Sequence, residues 1–85
     1  MTESYCYIVE CNDGTYYTGW TTDPKRRVKE HNTGRGARYT NMRRPVHLVY
    51  VEQHPDRSSA QRREYTIKKL THAQKRDLAE NVSAD

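Results

Sequence analysis

Five side chains capable of chemistry fall at spacings that can bring them together: Tyr7, Tyr17, Arg27, His31 and Glu64. Tyr7 sits in the run Tyr5-Cys6-Tyr7-Ile8-Val9 and Tyr17 in Tyr16-Tyr17-Thr18-Gly19-Trp20, with Asn12-Asp13-Gly14 between them. If Glu10 pairs with Tyr16, Tyr7 lies opposite Gly19 and Val9 opposite Tyr17. The two phenols then share one sheet face as diagonal neighbours, and a one-residue slip would part them. Gly19 has no side chain and is expected to leave a space beside Tyr7 that a ligand can enter. The plainer reading is two tyrosines at the core edge of a hairpin. Arg27 and His31 are four residues apart and so share a helix face. Lys25, Arg26 and Lys29 spread round the rest, as on a solvated basic helix. That helix follows directly on the second strand, which puts Arg27 within reach of Tyr17. Glu64 lies on the inward stripe set by Ala60 and Ile67. A carboxylate there is costly unless it meets a cation or a metal. It is therefore either the partner of one of the fifteen Lys and Arg residues or a metal-binding carboxylate facing a cleft.

The elements that must position these groups are legible in outline. Aromatic and β-branched runs on either side of Asn12-Asp13-Gly14 predict an antiparallel hairpin with a loop of about five residues. Thr22-Asp23-Pro24 supplies a capping oxygen and a proline for the first helical position. That helix should run to about Asn32 and stop at Gly34. Residues 33–45, rich in glycine and arginine, read as a connection. Val46-His47-Leu48-Val49-Tyr50-Val51 is apolar on both faces, which predicts a central strand covered on two sides. Ser58 and Gln61 predict a capping box at the start of the next helix, and Thr71 and Gln74 another at the start of the last. The tail from Asn81 is expected to fray. The order strand, strand, helix, strand, helix, helix predicts an α+β fold: a small three-stranded antiparallel sheet flanked by helices, one domain over residues 1–85 with its core from about 4 to 80.

Composition narrows the class. Only 33% of the 85 residues are apolar, and there is no Phe among them, so seven tyrosines must supply much of the bulk. Their hydroxyls need partners or water, which places several at the core edge or in a cleft. The net charge of +4 and pI near 9.2 favour a polyanionic partner. Cys6 and Cys11 form no disulfide framework and, with four scattered histidines, no zinc spacing. His47, His54 and His72 read as surface groups, and Trp20 as a core-edge anchor. No signal peptide or membrane-length apolar run is present, so the expectation is a reduced cytoplasmic setting without membrane contact.

In order along the chain, Tyr5-Cys6-Tyr7, Tyr17-Thr18-Gly19, "DPKRRVKEH" and "SSAQRREYTIKKL" resemble the defining elements of the GIY-YIG nuclease superfamily. "GRGARYT" and "KKLTHAQK" are similar to its small, single-domain bacterial members. The likeness spans about residues 4–76. The two tripeptides stand at the family's interval, although the first lacks Gly and Ile and the second has Thr18 where Ile is usual. The resemblance sets Arg27 and His31 on the family's arginine and histidine positions and Glu64 on its metal-binding glutamate. The family's asparagine has no counterpart here; Gln74 or Lys75 falls nearest.

The resemblance implies hydrolysis of a phosphodiester. One Mg²⁺ (or Mn²⁺) held by Glu64 would neutralise charge on the phosphate and leaving oxygen. Arg27 would clamp the phosphate with its planar fork. Tyr7 or Tyr17 would accept the proton of the attacking water, with His31 as a relay. Lys25, Arg35, Arg38, Arg43, Arg44 and Lys75 are the expected contacts to nucleic acid, through backbone phosphate rather than base edges. DNA, including structured or damaged DNA, stands ahead of RNA as substrate, with DNA repair as the setting and a partner protein for targeting as a further expectation. The rival is a non-catalytic basic module that binds nucleic acid or protein on the same scaffold. The absent asparagine favours the rival. The five-residue set favours the nuclease.

Overall fold

The alternation in the first strand shapes everything around it. In the computed structural model, which describes residues 3–81, β1 (Ser4–Glu10) buries Cys6 and Ile8 on one face and Tyr7 and Val9 on the other. β2 (Tyr16–Thr21) pairs with β1 antiparallel in the expected register, with Tyr7 opposite Gly19, Val9 opposite Tyr17 and Glu10 opposite Tyr16. β3 (His47–His54) pairs with the other edge of β1, also antiparallel, and gives the order β2-β1-β3. The central strand is therefore β1 and not β3, contrary to the sequence expectation. Leu48 and Val51, opposite Val9 and Tyr7, remain 36% and 38% exposed. The apolar pattern of β3 is thus covered on one face only.

Helices close both faces. On one, Cys6, Ile8 and Tyr50 pack with Ile67 of α3 (Arg57–Lys68), and Leu70, Leu78 and Ala79 close round them, the last two from α4 (His72–Asn81). On the other, Tyr7, Val9, Cys11 and Val46 pack with Tyr17 and with Val28 of α1 (Pro24–Asn32). Asp23 caps α1 by accepting from the Arg26 amide at 3.2 Å, Pro24 occupies the first turn, and Gly34 at φ +85° ends the run. Asn32 pairs with both backbone groups of Val46, at 2.8 and 2.7 Å, and so ties the end of α1 to the start of β3.

Three local readings need correction. The connection after α1 contains a short helix, α2 (Arg38–Asn41). The cap of α3 is Asp56, which accepts from the Ser59 amide at 2.8 Å, and not a Ser58–Gln61 box. A carboxylate accepts a first-turn amide more strongly than a hydroxyl does, and the helix starts where the stronger cap stands. The Thr71–Gln74 box does form, at 2.9 and 3.2 Å. His47 and His72 are exposed as expected, His72 stacking on Tyr16 at 4.6 Å, but His54 is half-buried against Glu52. Trp20 is half-buried with Arg57 over its ring. Residues 82–85 of the expected frayed tail lie outside the described residues.

Candidate active site

Strand pairing and the two turns of α1 bring four of the five candidates together. The Tyr7 hydroxyl lies 2.8 Å from His31 Nε2, and the Tyr17 ring meets the same imidazole edge-on at 5.4 Å. The Arg27 guanidinium, one turn before His31, donates to Glu30 Oε1 at 2.9 Å, and its positive charge acts on both Tyr7 and His31. Tyr7 and His31 are buried; Tyr17 and Arg27 are half-buried at the open side. Gly19 leaves no vacant space: a Cβ there would stand 2.6 Å from Tyr7 Oη. The Tyr7 ring itself occupies the volume that a side chain would take.

Burial sets the protonation states. Desolvation, reinforced by the Arg27 charge, lowers His31 to about 4, so its imidazole is neutral at pH 7. Desolvation also lifts Tyr7 to about 12; Arg27 opposes that rise, while Tyr17 and Glu64 add to it. The pair is thus a neutral phenol against a neutral imidazole. Cys6 and Cys11 are free and buried, and burial pushes both thiols up, Cys6 to about 12.

Glu64 lies on α3, its side chain 18% exposed, and its charge acts on Tyr7. Lys68, one turn on, holds its carboxylate at 3.0 Å and lies 5.9 Å from the Tyr17 ring centroid. Lys75 is half-buried close by; burial and the Lys68 ammonium both draw its pKa down. Among the described residues no three His, Cys, Asp or Glu side chains converge as a metal cage. One partly buried carboxylate fits Mg²⁺, which takes one or two carboxylates and completes its octahedron with water and phosphate oxygens. Glu64 is the residue that would hold it.

A sequence profile of the GIY-YIG catalytic domain matches residues 3–77. The chain belongs to the GIY-YIG family. Its relatives include the UPF0213 protein of Halobacterium salinarum, 57% identical over 87% of this chain and 96% of that one. A UPF0213 protein of Staphylococcus aureus is 51% identical over 88% and 92%. Among solved structures, the solution NMR structure of a UPF0213 protein from Bacillus halodurans aligns with a TM-score of 0.58 at 45% identity, covering 92% of this chain and 83% of that one. A protein from E. faecalis aligns at 0.66 and 40%, covering 100% and 91%. GIY-YIG membership implies a nuclease fold whose substrate is nucleic acid and whose members generally use a divalent metal.

The remaining basic candidates of this GIY-YIG domain divide into engaged and exposed side chains. Arg43 is already engaged: it pairs with Asp13 at 3.1 Å, donates to the Tyr39 carbonyl at 2.9 Å and lies over the Tyr39 ring at 3.9 Å. Arg44 donates to the Asn41 carbonyl. Lys25, Arg35 and Arg38 are exposed. Three residues without an assigned role in the sequence shape the site. Lys68 grips Glu64. Thr40, fully buried, meets His31 Nδ1 at 2.7 Å. Gly36 lies so close to the imidazole that a Cβ would collide with His31 Nδ1. The one sequence signal for the last two was "GRGARYT", where a glycine and a threonine sit in an otherwise basic connection.

Proposed function

We propose that this protein is a divalent-metal-dependent endonuclease that hydrolyses phosphodiester bonds in nucleic acid, DNA ahead of RNA. The observation that carries the reading is the 2.8 Å hydrogen bond between Tyr7 and a neutral, buried His31 on the helix that carries Arg27, with the partly buried Glu64 carboxylate close enough for its charge to act on Tyr7. A water oxygen attacks phosphorus and the bond to the leaving oxygen breaks. Tyr7 takes the water's proton as it passes its own to His31 Nε2, with the negative charge on the bound phosphate favouring that transfer against the burial and the Arg27 charge that keep the resting imidazole neutral. Tyr7 is the better candidate for the base because its hydroxyl lies 2.8 Å from an acceptor, His31 Nε2, and among the described residues Tyr17 has no such acceptor. A phenol at about 12 would otherwise be a poor base at pH 7. Arg27 spends one nitrogen on Glu30 and keeps further N–H groups for phosphate oxygens. Lys68 and Lys75 add further positive charge. Bound Mg²⁺ would supply charge neutralisation at the phosphate and leaving oxygen.

One observation favours the binding module instead: the Glu64 carboxylate is already satisfied by Lys68. Purified protein with Mg²⁺, tested on single-stranded, duplex and branched DNA and on RNA, decides between the two. The nuclease reading expects Mg²⁺-dependent cleavage that Glu64→Ala abolishes without loss of fold or nucleic-acid affinity. If Glu64→Ala cleaves as fast as the parent, the metal role of Glu64 is wrong. If the parent binds and never cleaves, the binding module stands.

A further inference from the structure

The buried end of the site carries an ordered chain of hydrogen bonds. Thr40 Oγ1 is 2.7 Å from His31 Nδ1 and 2.9 Å from the Ala37 carbonyl. A hydroxyl has a single hydrogen to give, and a carbonyl can only accept. With that hydrogen given to Ala37, Thr40 is an acceptor towards His31, and Nδ1 must carry the imidazole proton. We propose that Thr40 is a positioning residue that fixes the His31 proton on Nδ1 and so keeps the Nε2 lone pair aimed at the Tyr7 hydroxyl.

The other end of the chain agrees. The Tyr7 hydroxyl is hydrogen-bonded to His31 Nε2 at 2.8 Å, and only one of the two can supply the hydrogen. The Tyr7 hydrogen needs an acceptor, and Tyr7 is 1% exposed. Among the described residues, His31 Nε2 is the acceptor within reach. In the opposite tautomer Nε2–H would donate to the Tyr7 oxygen, and the phenolic hydrogen would be buried without a partner among the described residues, which costs about 1–3 kcal/mol. The Ala37 amide, 3.4 Å from Nδ1, prefers the opposite tautomer, but at that length it is weak against contacts of 2.7 and 2.9 Å. The low His31 pKa supports a neutral ring, the only state in which a tautomer choice exists. Thr40 is held for this task by α2, whose first turn also places Ala37. Gly36 completes the fit by allowing the backbone onto the imidazole.

The tautomer follows from geometry alone; its effect on turnover rests on the nuclease reading. The test is long-range ¹H–¹⁵N NMR of His31 in the full chain at pH 7, for the parent, Thr40→Ser and Thr40→Val. The parent and Thr40→Ser should show a protonated, pyrrole-type Nδ1 and a bare, pyridine-type Nε2. Thr40→Val keeps the shape without the hydroxyl and should shift His31 to a mixture or to the reverse tautomer. In cleavage, Thr40→Val should lower kcat at least about tenfold with KM nearly unchanged, and Thr40→Ser should restore most of it. A protonated Nε2 in the parent overturns the proposal. So does a Thr40→Val protein that keeps the parent tautomer. If Thr40→Val does not fold, the parent spectrum and Thr40→Ser still decide it. If no protein cleaves, the nuclease reading fails and the nitrogen shifts still judge the tautomer.

Discussion

Two tyrosines in this molecule have nearly the same pKa and opposite circumstances. Tyr50, like Tyr7, is lifted to about 12 chiefly by burial. Its hydroxyl donates to Glu52 at 2.7 Å, and Glu52 also takes Arg63 at 2.9 and 3.1 Å and His54 at 3.0 Å. Burial alone would raise that carboxylate, but Arg63 and Tyr50 hold it below the usual range. Every strong donor there meets a fixed charge, and the network is closed. Tyr7 instead meets a neutral base and feels the charge of Arg27, a cation with hydrogens still to offer. A raised pKa therefore does not by itself mark a reactive tyrosine. What separates the two is whether the phenolic proton has somewhere to go.

The sharpest way to test that contrast is to remove each oxygen. Tyr7→Phe should lower kcat by about 10²- to 10⁴-fold, the range for a lost general base, with nucleic-acid affinity largely kept. Wild-type turnover in Tyr7→Phe would transfer the proton step to Tyr17 or to another group, and Tyr17→Phe measured alongside would show which.

A smaller effect should appear in stability against pH. The folded His31 titrates at about 4 and the unfolded one near 6.5. The unfolded chain therefore binds more protons between these values, and stability rises with pH across that window. The contribution, on the order of 3 kcal/mol, is whole above about pH 6.5 and lost as pH falls through about 4. Urea denaturation at several pH values should show this slope, and His31→Gln should flatten it. An equal slope in both proteins would mean that His31 is not buried neutral.

Smallest should be Tyr50→Phe. Glu52 retains Arg63 and His54, so the loss is about 1–2 kcal/mol of stability, with kcat unchanged once the protein is folded. A large kcat loss there would erase the distinction between the two networks.

The hairpin and the first helix were legible because each rests on local rules: alternation about an Asn-Asp-Gly turn, an Asp-Pro start and a glycine stop. These fixed the register and hence the meeting of Tyr7, Tyr17, Arg27 and His31. Strand order was not legible. Leu48 and Val51 look like core in a single strand, and only pairing reveals that β3 is an edge. Gly19 was read as an opening because a sequence cannot show that a neighbour's own ring fills the volume. Thr40 and Gly36 were invisible for a different reason. They act on a side chain nine and five positions away through a segment with no hydrophobic period, so neither strand nor helix spacing points to them. The Lys68–Glu64 pair followed a helical interval that the sequence does contain, but fifteen basic residues made the choice of partner arbitrary.

The strand order also sets how firmly each phenol is anchored in time. Tyr7 lies on the middle strand, laddered to β2 and to β3, whereas Tyr17 belongs to an outer strand with one ladder. Opening at the Tyr7 backbone requires most of the sheet to come apart, so its amide belongs to the slowest-exchanging class in deuterium exchange. Fluctuation of the outer strand can thus move Tyr17 while the buried Tyr7–His31 pair stays still.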